Sequence, residues 1–486
     1  MQDYKMWIGG KWVNAESGKT YTAVNPATGE EIARIPLGDK ADVDKAVAAA
    51  QKAFPLWSKK PQAERSRIIG ELAGHFMKHA QEFVSIDILD HGTPVKISNM
   101  FTMGLPGDLE YASQVSRSFM GKTIPVDASN LIYLQREPMG VCALIIPWNV
   151  PLLGIVKKLA AALSVGNVCI VKPPSVDSLT ALKLGEVLEE AGIPEGIVNI
   201  VTGSGSTAGA ALAAHPGVDM ISFTGSCESG KDIMAVASRT MKKVFLELGG
   251  KNPFFVLEDA NVDAALGNAL FAAFFNTGMV CAAPGRFYIQ EKIYDEFVEK
   301  FVAGAKNVVV GDPNDEKTDM GPVVSAEHRD KVEGYIKIGI EEGAKLALGG
   351  KRPTQPPLDK GFYIMPTVFT DVTQDMRIAR EEIFGPVAVF LKFKSGDEVP
   401  ALANDSNFGL CASIWTADTC KAVTYANDMR TGTVWINNHL LFGSELPWGG
   451  YKESGCGKEN GVLGLEEYTQ VKLISLALPG EMPGPQ

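Results

Sequence analysis

The chain has 486 residues, enough for about three domains of ordinary size, which excludes a single small module held together by disulfides or a metal. Hydrophobic residues make up 45% and charged residues 21% of the chain, and its 50 glycines and 28 prolines are scattered, so collagen-like and largely disordered chains are also excluded. The 46 Lys and Arg residues against 57 Asp and Glu residues give a net charge of -11, which argues against binding to nucleic acid or to an anionic membrane surface.

Seven cysteines are present, an odd number without a Cys-x-x-Cys pair, and several lie in apolar runs such as VGNVCIVK. This pattern indicates reduced thiols in a reducing compartment. The first residues, MQDYKMWIGGKW, lack a basic stretch followed by an apolar core, and no charge-free apolar run reaches the roughly 18 residues of a membrane span. We therefore expect a soluble, cytoplasmic protein with no membrane partner.

The first half of the chain predicts helices followed by a parallel sheet. Residues 41–90 carry apolar side chains at three- and four-residue spacing, which predicts two amphipathic helices, and Pro61 stands where a helix would begin. From residue 141 to residue 223, short β-branched runs such as VCALII and VCIVK alternate with helical stretches. Strands and helices in alternation predict a parallel sheet with helices on both faces.

The second half of the chain predicts another α/β unit. The strand KVFLEL leads to Gly249 and Gly250 and then to further alternating helices and strands, so we place a domain boundary there. Residues 121–140 have the pattern of a polar-flanked hairpin, and the tail from Val471 has strand character before a Pro-rich end. Both segments could pair with another subunit.

Two patterns resemble ligand sites but miss a required residue. His75 and His79 stand four residues apart on a predicted helix, but no glutamate lies between them and no third ligand is suggested, so a solvated helix face fits better than a metal site. Residues 225–231, GSCESGK, match the start of a P-loop, but Asp232 replaces the hydroxyl residue that would hold magnesium. What remains is a strand-to-helix turn whose N–H groups can receive a phosphate.

Three reactive residues follow or end predicted strands. Cys281 lies among small residues in FFNTGMVCAAPGR, Glu247 precedes two glycines in an apolar strand, and Asn149 ends a strand in PWNVP. A lone cysteine is more often a buried inert thiol, and the other two residues alone are also typical of a paired structural carboxylate and of a turn. Together, a thiol nucleophile, a carboxylate base, an amide donor and a dinucleotide-type turn are what aldehyde oxidation through a thioester requires.

Seven motifs occur in order along almost the whole chain: PWNVP, VKPPS, FTGS, ELGGK, FFNTGMVCAAPGR, EEIFGPV and PWGGYKESGCGKE. In this order and spacing the sequence resembles the NAD(P)-dependent aldehyde dehydrogenase superfamily. The resemblance implies an α/β fold with a Rossmann-type cofactor domain (1–120 and 139–249), an α/β catalytic domain (250–466) and a small β oligomerisation element (121–138 and 467–486). It also implies a homodimer or a homotetramer.

The resemblance further implies residue roles. Cys281 would be the nucleophile, Glu247 the general base, and Asn149 with the Cys281 backbone N–H the oxyanion hole, while Glu459 would help to pass protons. The cofactor would be NAD or NADP, with Lys172 reaching the adenosine ribose. The full set of implied cofactor contacts is Ile146, Pro147, Trp148, Lys172, Ser175, Gly225, Ser226, Glu382 and Phe384.

The implied aldehyde tunnel is almost entirely apolar. Its lining would be Val150, Gly154, Phe275, Met279, Val280, Leu440, Phe442 and Trp448. This lining favours an aromatic or medium-chain aldehyde, although Lys157 nearby could accept an acidic tail. Ser175 stands where NAD-dependent relatives often carry a glutamate that repels the extra phosphate of NADP, so we expect both cofactors to be accepted.

Two other functions remain open from the sequence. A coenzyme A-acylating dehydrogenase would pass the thioester to coenzyme A instead of water, but such relatives commonly lack the carboxylate that Glu247 supplies. A non-catalytic binding protein on the same fold is the second alternative, and it would not need Cys281, Glu247 and Asn149 together.

Overall fold

The computed structural model describes residues 1–479. Within them the strands are β1 (Gln2–Asp3), β2 (Met6–Ile8), β3 (Lys11–Val13), β4 (Thr20–Val24), β5 (Glu31–Pro36), β6 (Lys122–Ile124), β7 (Asn130–Pro138), β8 (Val141–Ile145), β9 (Val168–Lys172), β10 (Val198–Ile200), β11 (Met220–Thr224), β12 (Lys243–Glu247), β13 (Asn252–Val256), β14 (Pro284–Gln290), β15 (Lys345–Leu348), β16 (Thr367–Thr370), β17 (Val387–Phe393), β18 (Phe408–Gly409), β19 (Cys411–Trp415), β20 (Thr433–Ile436), β21 (Tyr451–Lys452), β22 (Gly455–Cys456) and β23 (Thr469–Ala477). The α-helices are α1 (Lys40–Ser58), α2 (Gln62–Lys78), α3 (Ala80–Asp90), α4 (Val95–Ser116), α5 (Pro151–Ser164), α6 (Leu179–Glu190), α7 (Ala210–Ala214), α8 (Cys227–Ala237), α9 (Val262–Phe274), α10 (Tyr294–Ala305), α11 (Ala326–Glu341), α12 (Arg377–Arg380), α13 (Val399–Asn404), α14 (Thr419–Asp428) and α15 (Gly461–Glu467).

The segment predicted to form two helices forms three, α1 to α3. Pro61 precedes α2, as predicted. The additional break lies at His79, where the backbone (φ −100°, ψ 8°) ends α2 and the ring binds the carboxylates of Glu82 and Glu190. The prediction of two helices was therefore wrong, because the apolar spacing continues across a break that depends on backbone geometry and distant side chains.

The alternating segments from residue 141 onward form one parallel sheet. The strand order is β22-β12-β11-β8-β9-β10-β2-β3, with β8 to β12 parallel to their neighbours within that group. Every residue of β8 and β9 is buried, as expected for strands covered by helices on both faces. The carboxyl ends of these strands share one edge, so Asn149, after β8, and Glu247, the last residue of β12, lie on the same side of the sheet.

A second sheet carries the segment that follows the nucleophile motif. Its order is β15-β16-β17-β14-β13-β19-β20, and all neighbours except β15 and β16 run parallel. Phe254, Phe287 and Phe390 pack ring to ring across β13, β14 and β17, with centroids 5.4 Å and 5.1 Å apart. These rings fix the sheet whose strand β14 begins three residues after Cys281.

The predicted hairpin and tail strand form a third, antiparallel sheet in the order β23-β7-β6. β23 pairs with β7 over nine positions, from Thr469 opposite Pro138 to Ala477 opposite Asn130. β23 lies at one edge of this sheet, and along it Val471, Leu473 and Leu476 are all more than half exposed. The rest of the predicted tail, 480–486, lies outside the described residues.

Strand β22 joins two of the predicted domain ranges. β22 lies within the range 250–466 but pairs antiparallel with β12 of the first sheet. The N-terminal strands β1, β5 and β4 form a small sheet of their own. Through residue 479, no helix combines the length and the apolar character that a membrane crossing needs. The domain boundaries themselves stay predictions.

Candidate active site

The three reactive residues come together between the two large sheets. Asn149 lies in the loop from β8 to α5, and Glu247 ends β12 in the same sheet. Cys281 lies in the loop that leads into β14 of the second sheet. The thiol feels the charge of Glu247, which raises its pKa, so the loop brings the nucleophile close to the carboxylate across the gap between the sheets.

A left-handed turn delivers Cys281 to this position. Asn276, Thr277 and Gly278 have φ values of 48°, 57° and 70°, a region that residues other than glycine rarely adopt. A methyl group at Gly278 would collide with the backbone carbonyl of Gly385, so this position requires glycine. Asn276 donates through Nδ2 to the backbone carbonyl of Asn149 at 3.0 Å, which ties the strained turn to the first sheet.

The Asn149 side chain makes a second hydrogen bond between the same two loops. Its Nδ2 donates to the carbonyl of Met279, two residues before the nucleophile, at 2.9 Å, and the side chain is almost fully buried. An amide nitrogen carries two N–H groups, and this bond uses one of them. Asn149 therefore holds the loop that carries Cys281.

Two residues that the sequence analysis did not single out hold the backbone behind Cys281. Asn252 donates through Nδ2 to the carbonyls of Cys281 at 2.7 Å and Ala283 at 2.9 Å. His439 bonds through Nε2 to the carbonyl of Ala282 at 2.9 Å. Asn252 directly follows the ELGGK motif and could have been suspected from that position, whereas nothing local marks His439.

Glu247 is a buried carboxyl group without a partner. It is 4% exposed, and within residues 1–479 neither of its carboxylate oxygens accepts a hydrogen bond. Burial raises its pKa well above the usual range, and the nearby charge of Glu459 raises it further. A methyl group at Gly449 would lie 2.8 Å from Oε1 of Glu247, so the glycine of the PWGG motif leaves room for this side chain.

The Cys281 thiol is half-buried and protonated at neutral pH. Burial raises its pKa to about 12, and the carboxylates of Glu247 and Glu382 add to the effect, while the N–H of Ala282 acts in the opposite direction. The thiol therefore has to lose its proton as it reacts.

Glu459 belongs to a buried hydrogen-bond chain. The ammonium group of Lys158, which is fully buried, donates to Oε1 of Glu459 at 2.8 Å and to Oγ of Ser222 at 3.0 Å. Tyr468 donates to the same Ser222 oxygen at 3.0 Å. The positive charge of Lys158 lowers the pKa of Glu247, against the effect of Glu459. Lys158 was missed because it lies in an apolar helix with no motif around it.

The implied cofactor residues surround the same sheet edge. Glu382 accepts from the backbone N–H of Gly250 at 2.9 Å, and burial raises the pKa of this carboxyl. Phe384, with φ 61°, packs edge-on against Trp148 at 5.2 Å, and its carbonyl bonds to Nε2 of His328 at 2.7 Å. These contacts join the PWNVP and EEIFGPV loops.

The other implied cofactor contacts lie around Lys172 and at the start of helix α8. Lys172 ends β9, and burial alone lowers its pKa to about 8. The Ile146 N–H donates to the Lys172 carbonyl at 3.1 Å, and Pro147 follows in the same loop. Ser226 caps α8 by accepting from the N–H of Ser229, and Gly225 precedes it. Ser175 is half-buried in the loop after β9.

Several of the implied tunnel residues fall into two groups of contacts. Val280 and Leu440 pack with Cys281 against a cluster that contains Trp448, and Phe442 meets Trp448 edge-on at 5.0 Å. In the second group, Val150 lines a cavity with Asn149, Leu153 and two residues of α4 that the sequence did not indicate, Phe101 and Leu105. Phe101 packs edge-on against Phe275 at 5.5 Å.

Met279 and Gly154 belong to neither of these two sets of contacts. The Met279 side chain is buried in the core of the second sheet with residues such as Val323 and Ile383, so it does not pack with Val280 and Leu440. A methyl group at Gly154 would lie 3.6 Å from the side chains of Ile146 and Pro147, an ordinary contact, so the glycine leaves space there.

The histidine pair does not form a metal centre. His79 binds Glu82 and Glu190, and Nδ1 of His75 lies 3.6 Å from Glu190. Up to residue 479, no group of three or more His, Cys, Asp and Glu side chains is arranged to hold a metal ion.

Comparisons with known proteins identify the family. The aldehyde dehydrogenase family model matches residues 12–474. The chain is 45% identical to the human mitochondrial aldehyde dehydrogenase over 480 residues, covering 98% of this chain and 92% of that protein. It is 43% identical to the betaine aldehyde dehydrogenase of Bacillus subtilis, covering 96% of both. A crystal structure of betaine aldehyde dehydrogenase from Staphylococcus aureus in complex with NAD+ superposes with a TM-score of 0.96 at 36% identity, covering 98% of this chain and 96% of that one. The chain belongs to the aldehyde dehydrogenase family.

Proposed function

We propose that this protein oxidises an aldehyde to a carboxylic acid with NAD or NADP, using Cys281 as nucleophile. Oxidation of aldehydes is the reaction class of the family. The observation that carries the detailed proposal is the buried, unpartnered carboxyl group of Glu247 beside the thiol. A buried carboxyl without a hydrogen bond costs stability, and such groups are characteristic of catalytic sites.

The first step is addition of the thiol to the aldehyde. As the C–S bond forms, the thiol proton passes to solvent water and the carbonyl electrons move onto oxygen. The Ala282 N–H stabilises the developing thiolate, since it lowers the pKa of Cys281. We assign the second N–H of Asn149 and the backbone N–H of Cys281 as donors to the new oxyanion, and one such donor contributes about 3 kcal/mol to transition-state stabilisation.

The residues at the sheet edge fit a dinucleotide. Lys172 has its charge disfavoured by burial alone, so an anionic or hydroxyl-bearing ligand would satisfy its ammonium group. Glu382 offers a carboxylate suited to ribose hydroxyls, and the capped N-terminus of α8 suits a phosphate. When bound, the nicotinamide group supplies the acceptor for the hydride that leaves the former aldehyde carbon. Cys281 then carries a thioester.

Hydrolysis of the thioester is assigned to Glu247. Its raised pKa makes it a stronger base than an ordinary carboxylate, so it can take a proton from water as the water attacks the thioester. The carboxylic acid leaves and the thiolate of Cys281 is regenerated. Glu459, bonded to Lys158, raises the pKa of Glu247, and we assign to it the outward transfer of the proton. The presence of Glu247 favours water over coenzyme A as the attacking group.

For the substrate we propose an aromatic or medium-chain apolar aldehyde. Trp448, Phe442, Val280 and Leu440 surround the thiol with apolar side chains. A small quaternary ammonium aldehyde is the second candidate, because Trp435 stacks 6.0 Å from Trp448 and aromatic faces also bind cations. The relatives named as betaine aldehyde dehydrogenases support this alternative.

We also propose that the protein is a homodimer or a homotetramer. The open edge of β23 presents unpaired backbone groups together with exposed Val471, Leu473 and Leu476. Such an edge promotes pairing unless it is covered. A second copy of the chain would cover it.

Substitutions of Cys281 and Glu247 separate the two half-reactions. Cys281→Ala should form no NAD(P)H, because the nucleophile is needed before hydride transfer. Glu247→Gln should form about one equivalent of NAD(P)H in a first turnover, because the base is not needed until the thioester is hydrolysed. Its steady-state turnover should then be about 100-fold slower than that of wild type. Stopped-flow absorbance at 340 nm measures both phases. Cys420→Ala, which removes an exposed thiol on α14, is the matched control and should keep wild-type rates. Steady-state activity in Cys281→Ala would refute the assignment, and a dependence of turnover on added coenzyme A would favour the acyl-transfer alternative.

Assembly is measurable by light scattering at micromolar concentration. A chain of 52.1 kDa should give at least twice that mass. Leu473→Asp should shift the mass toward the monomer because it places a charge in the covered edge, whereas Val423→Asp, on exposed α14, should not. A wild-type monomer would contradict the proposal.

A substrate panel distinguishes the two pocket hypotheses. We expect kcat/KM for benzaldehyde or hexanal to exceed that for betaine aldehyde by at least about tenfold, since an apolar pocket gains from each buried methylene. Succinic semialdehyde tests whether Lys157 accepts an acidic tail. A clear preference for betaine aldehyde would instead establish the aromatic cluster as a cation site.

Cofactor choice should depend on Ser175 and Lys172. Wild type should accept both cofactors, and Ser175→Glu should raise KM for NADP with little effect on KM for NAD, because the new carboxylate repels the extra phosphate. Lys172, with a pKa of about 8, is charged at pH 7 and mostly neutral at pH 9. KM for NADP should therefore rise relative to KM for NAD across that interval. Wild-type activity confined to NAD, with millimolar NADP inert, would overturn this proposal.

A further inference from the structure

The backbone around the nucleophile is held by side chains at three successive carbonyls. Asn252 binds the carbonyls of Cys281 and Ala283, and His439 binds the carbonyl of Ala282 between them. Asn252 is itself fixed, because its Oδ1 accepts from the N–H of Cys411 at 3.2 Å. The two peptide planes that flank Ala282 are thus restrained from both sides.

The His439 ring is itself held in place by burial, by a hydrogen bond and by two aromatic contacts. It is 4% exposed, its Nδ1 lies 3.0 Å from Oγ of Ser413, and its ring packs edge-on against Trp435 at 4.8 Å and Phe254 at 5.7 Å. A carbonyl can only accept, so Nε2 must carry the proton, and Nδ1 must then accept from the Ser413 hydroxyl. Burial lowers the pKa of His439 to about 3, so the ring stays neutral with this single tautomer.

The restrained peptides include the N–H group that acts on the nucleophile. The N–H of Ala282 is the group that lowers the pKa of the Cys281 thiol. That N–H shares a peptide plane with the Cys281 carbonyl, which Asn252 holds, whereas the carbonyl bound by His439 belongs to the next plane. The two bonds together limit rotation about Ala282, the residue that follows the nucleophile. Loss of the bond to His439 would free the second plane and loosen the backbone that carries the thiol.

We propose that His439 is a positioning residue for Cys281, acting through the Ala282 carbonyl, with Ser413 fixing its tautomer. The proposal rests on the function assigned to Cys281 above. A merely structural role would be to fill space among Trp435 and Phe254, which an apolar side chain of similar size could also do. The two roles differ in whether a hydrogen-bond donor is needed at Nε2.

The experiment compares His439→Leu with His439→Gln, because the glutamine amide nitrogen restores a donor near the position of Nε2 while leucine fills space without one. The first readout is the second-order rate of alkylation of Cys281 by iodoacetamide in the enzyme without cofactor, followed by peptide mass spectrometry. Cys420, exposed and on α14, is alkylated in the same reaction and serves as the internal standard. The second readout is the rate of the first-turnover burst, alongside KM for NAD.

We expect His439→Leu to slow both alkylation of Cys281 and the burst by about tenfold, the usual effect of losing one buried hydrogen bond at a reacting group. His439→Gln should recover both to within about threefold of wild type, and KM for NAD should change less than about twofold in either variant. Ser413→Ala, which removes the hydroxyl but leaves the ring, should slow alkylation by an intermediate factor and serves as the test if the leucine variant does not fold.

Equal alkylation rates in the leucine and glutamine variants, whether both normal or both slow, would overturn the proposal. If the leucine variant cannot be obtained, a wild-type alkylation rate in Ser413→Ala would overturn it. A loss confined to KM would overturn it too. If the wild-type protein oxidises no aldehyde, the proposed function fails, but the alkylation comparison still reports on the thiol, so the two failures are distinguishable.

Discussion

The left-handed turn of Asn276, Thr277 and Gly278 is the constraint on which the site depends. Each non-glycine residue in this conformation costs about 1–3 kcal/mol, and Thr277 is β-branched, which makes it especially unfavourable there. The fold offsets this cost with long-range bonds, from Asn276 to the Asn149 carbonyl and from Asn149 to the Met279 carbonyl. Because these bonds cross from the second sheet to the first, the strain is retained only when both sheets are in place.

The electrostatics of the site depend on two carboxyl groups that lie close together. Glu247 is buried beside the half-buried Glu459, and the buried ammonium of Lys158 lies 2.8 Å from the Glu459 carboxylate. Burial and the charge of Glu459 together raise the pKa of Glu247 well above its usual range, against the opposing charges of Lys158 and Lys458. This arrangement suits a group that has to release and accept a proton in each cycle.

The sequence predicted the parallel sheet and the reactive residues for different reasons. Strands such as Val141–Ile145 and Val168–Lys172 are short, β-branched and buried on both faces, so their local pattern specifies their structure. Cys281, Glu247 and Asn149 were found from residue type, strand-end position and family resemblance. The roles assigned to them stay predictions, whereas the family itself is confirmed by the match over residues 12–474.

What the sequence could not indicate depends on contacts between distant segments. His439 is 157 residues from the carbonyl that it binds, and Lys158 is 301 residues from Glu459. No local spacing records such pairs. The direction of the Met279 side chain was equally hidden, because it depends on the left-handed turn before it. The break at His79 was missed because the apolar spacing of residues 41–90 continues across it. In addition, Glu190, which binds the His79 ring, belongs to another helix.

The pairing of β22 with β12 has a consequence for biosynthesis. β22 covers the edge of the first sheet from a position more than 200 residues later in the chain, and the Cys227 thiol beside it bonds to the carbonyl of Glu453 across 226 residues. A nascent chain that has completed the parallel strands still exposes β12 as an open edge until residue 455 has been made. Contacts of such sequence separation slow folding, because a long loop must close before they form. During that interval the unpaired strand that bears Glu247 is available to other chains, so this sheet is where cotranslational chaperones would be most needed.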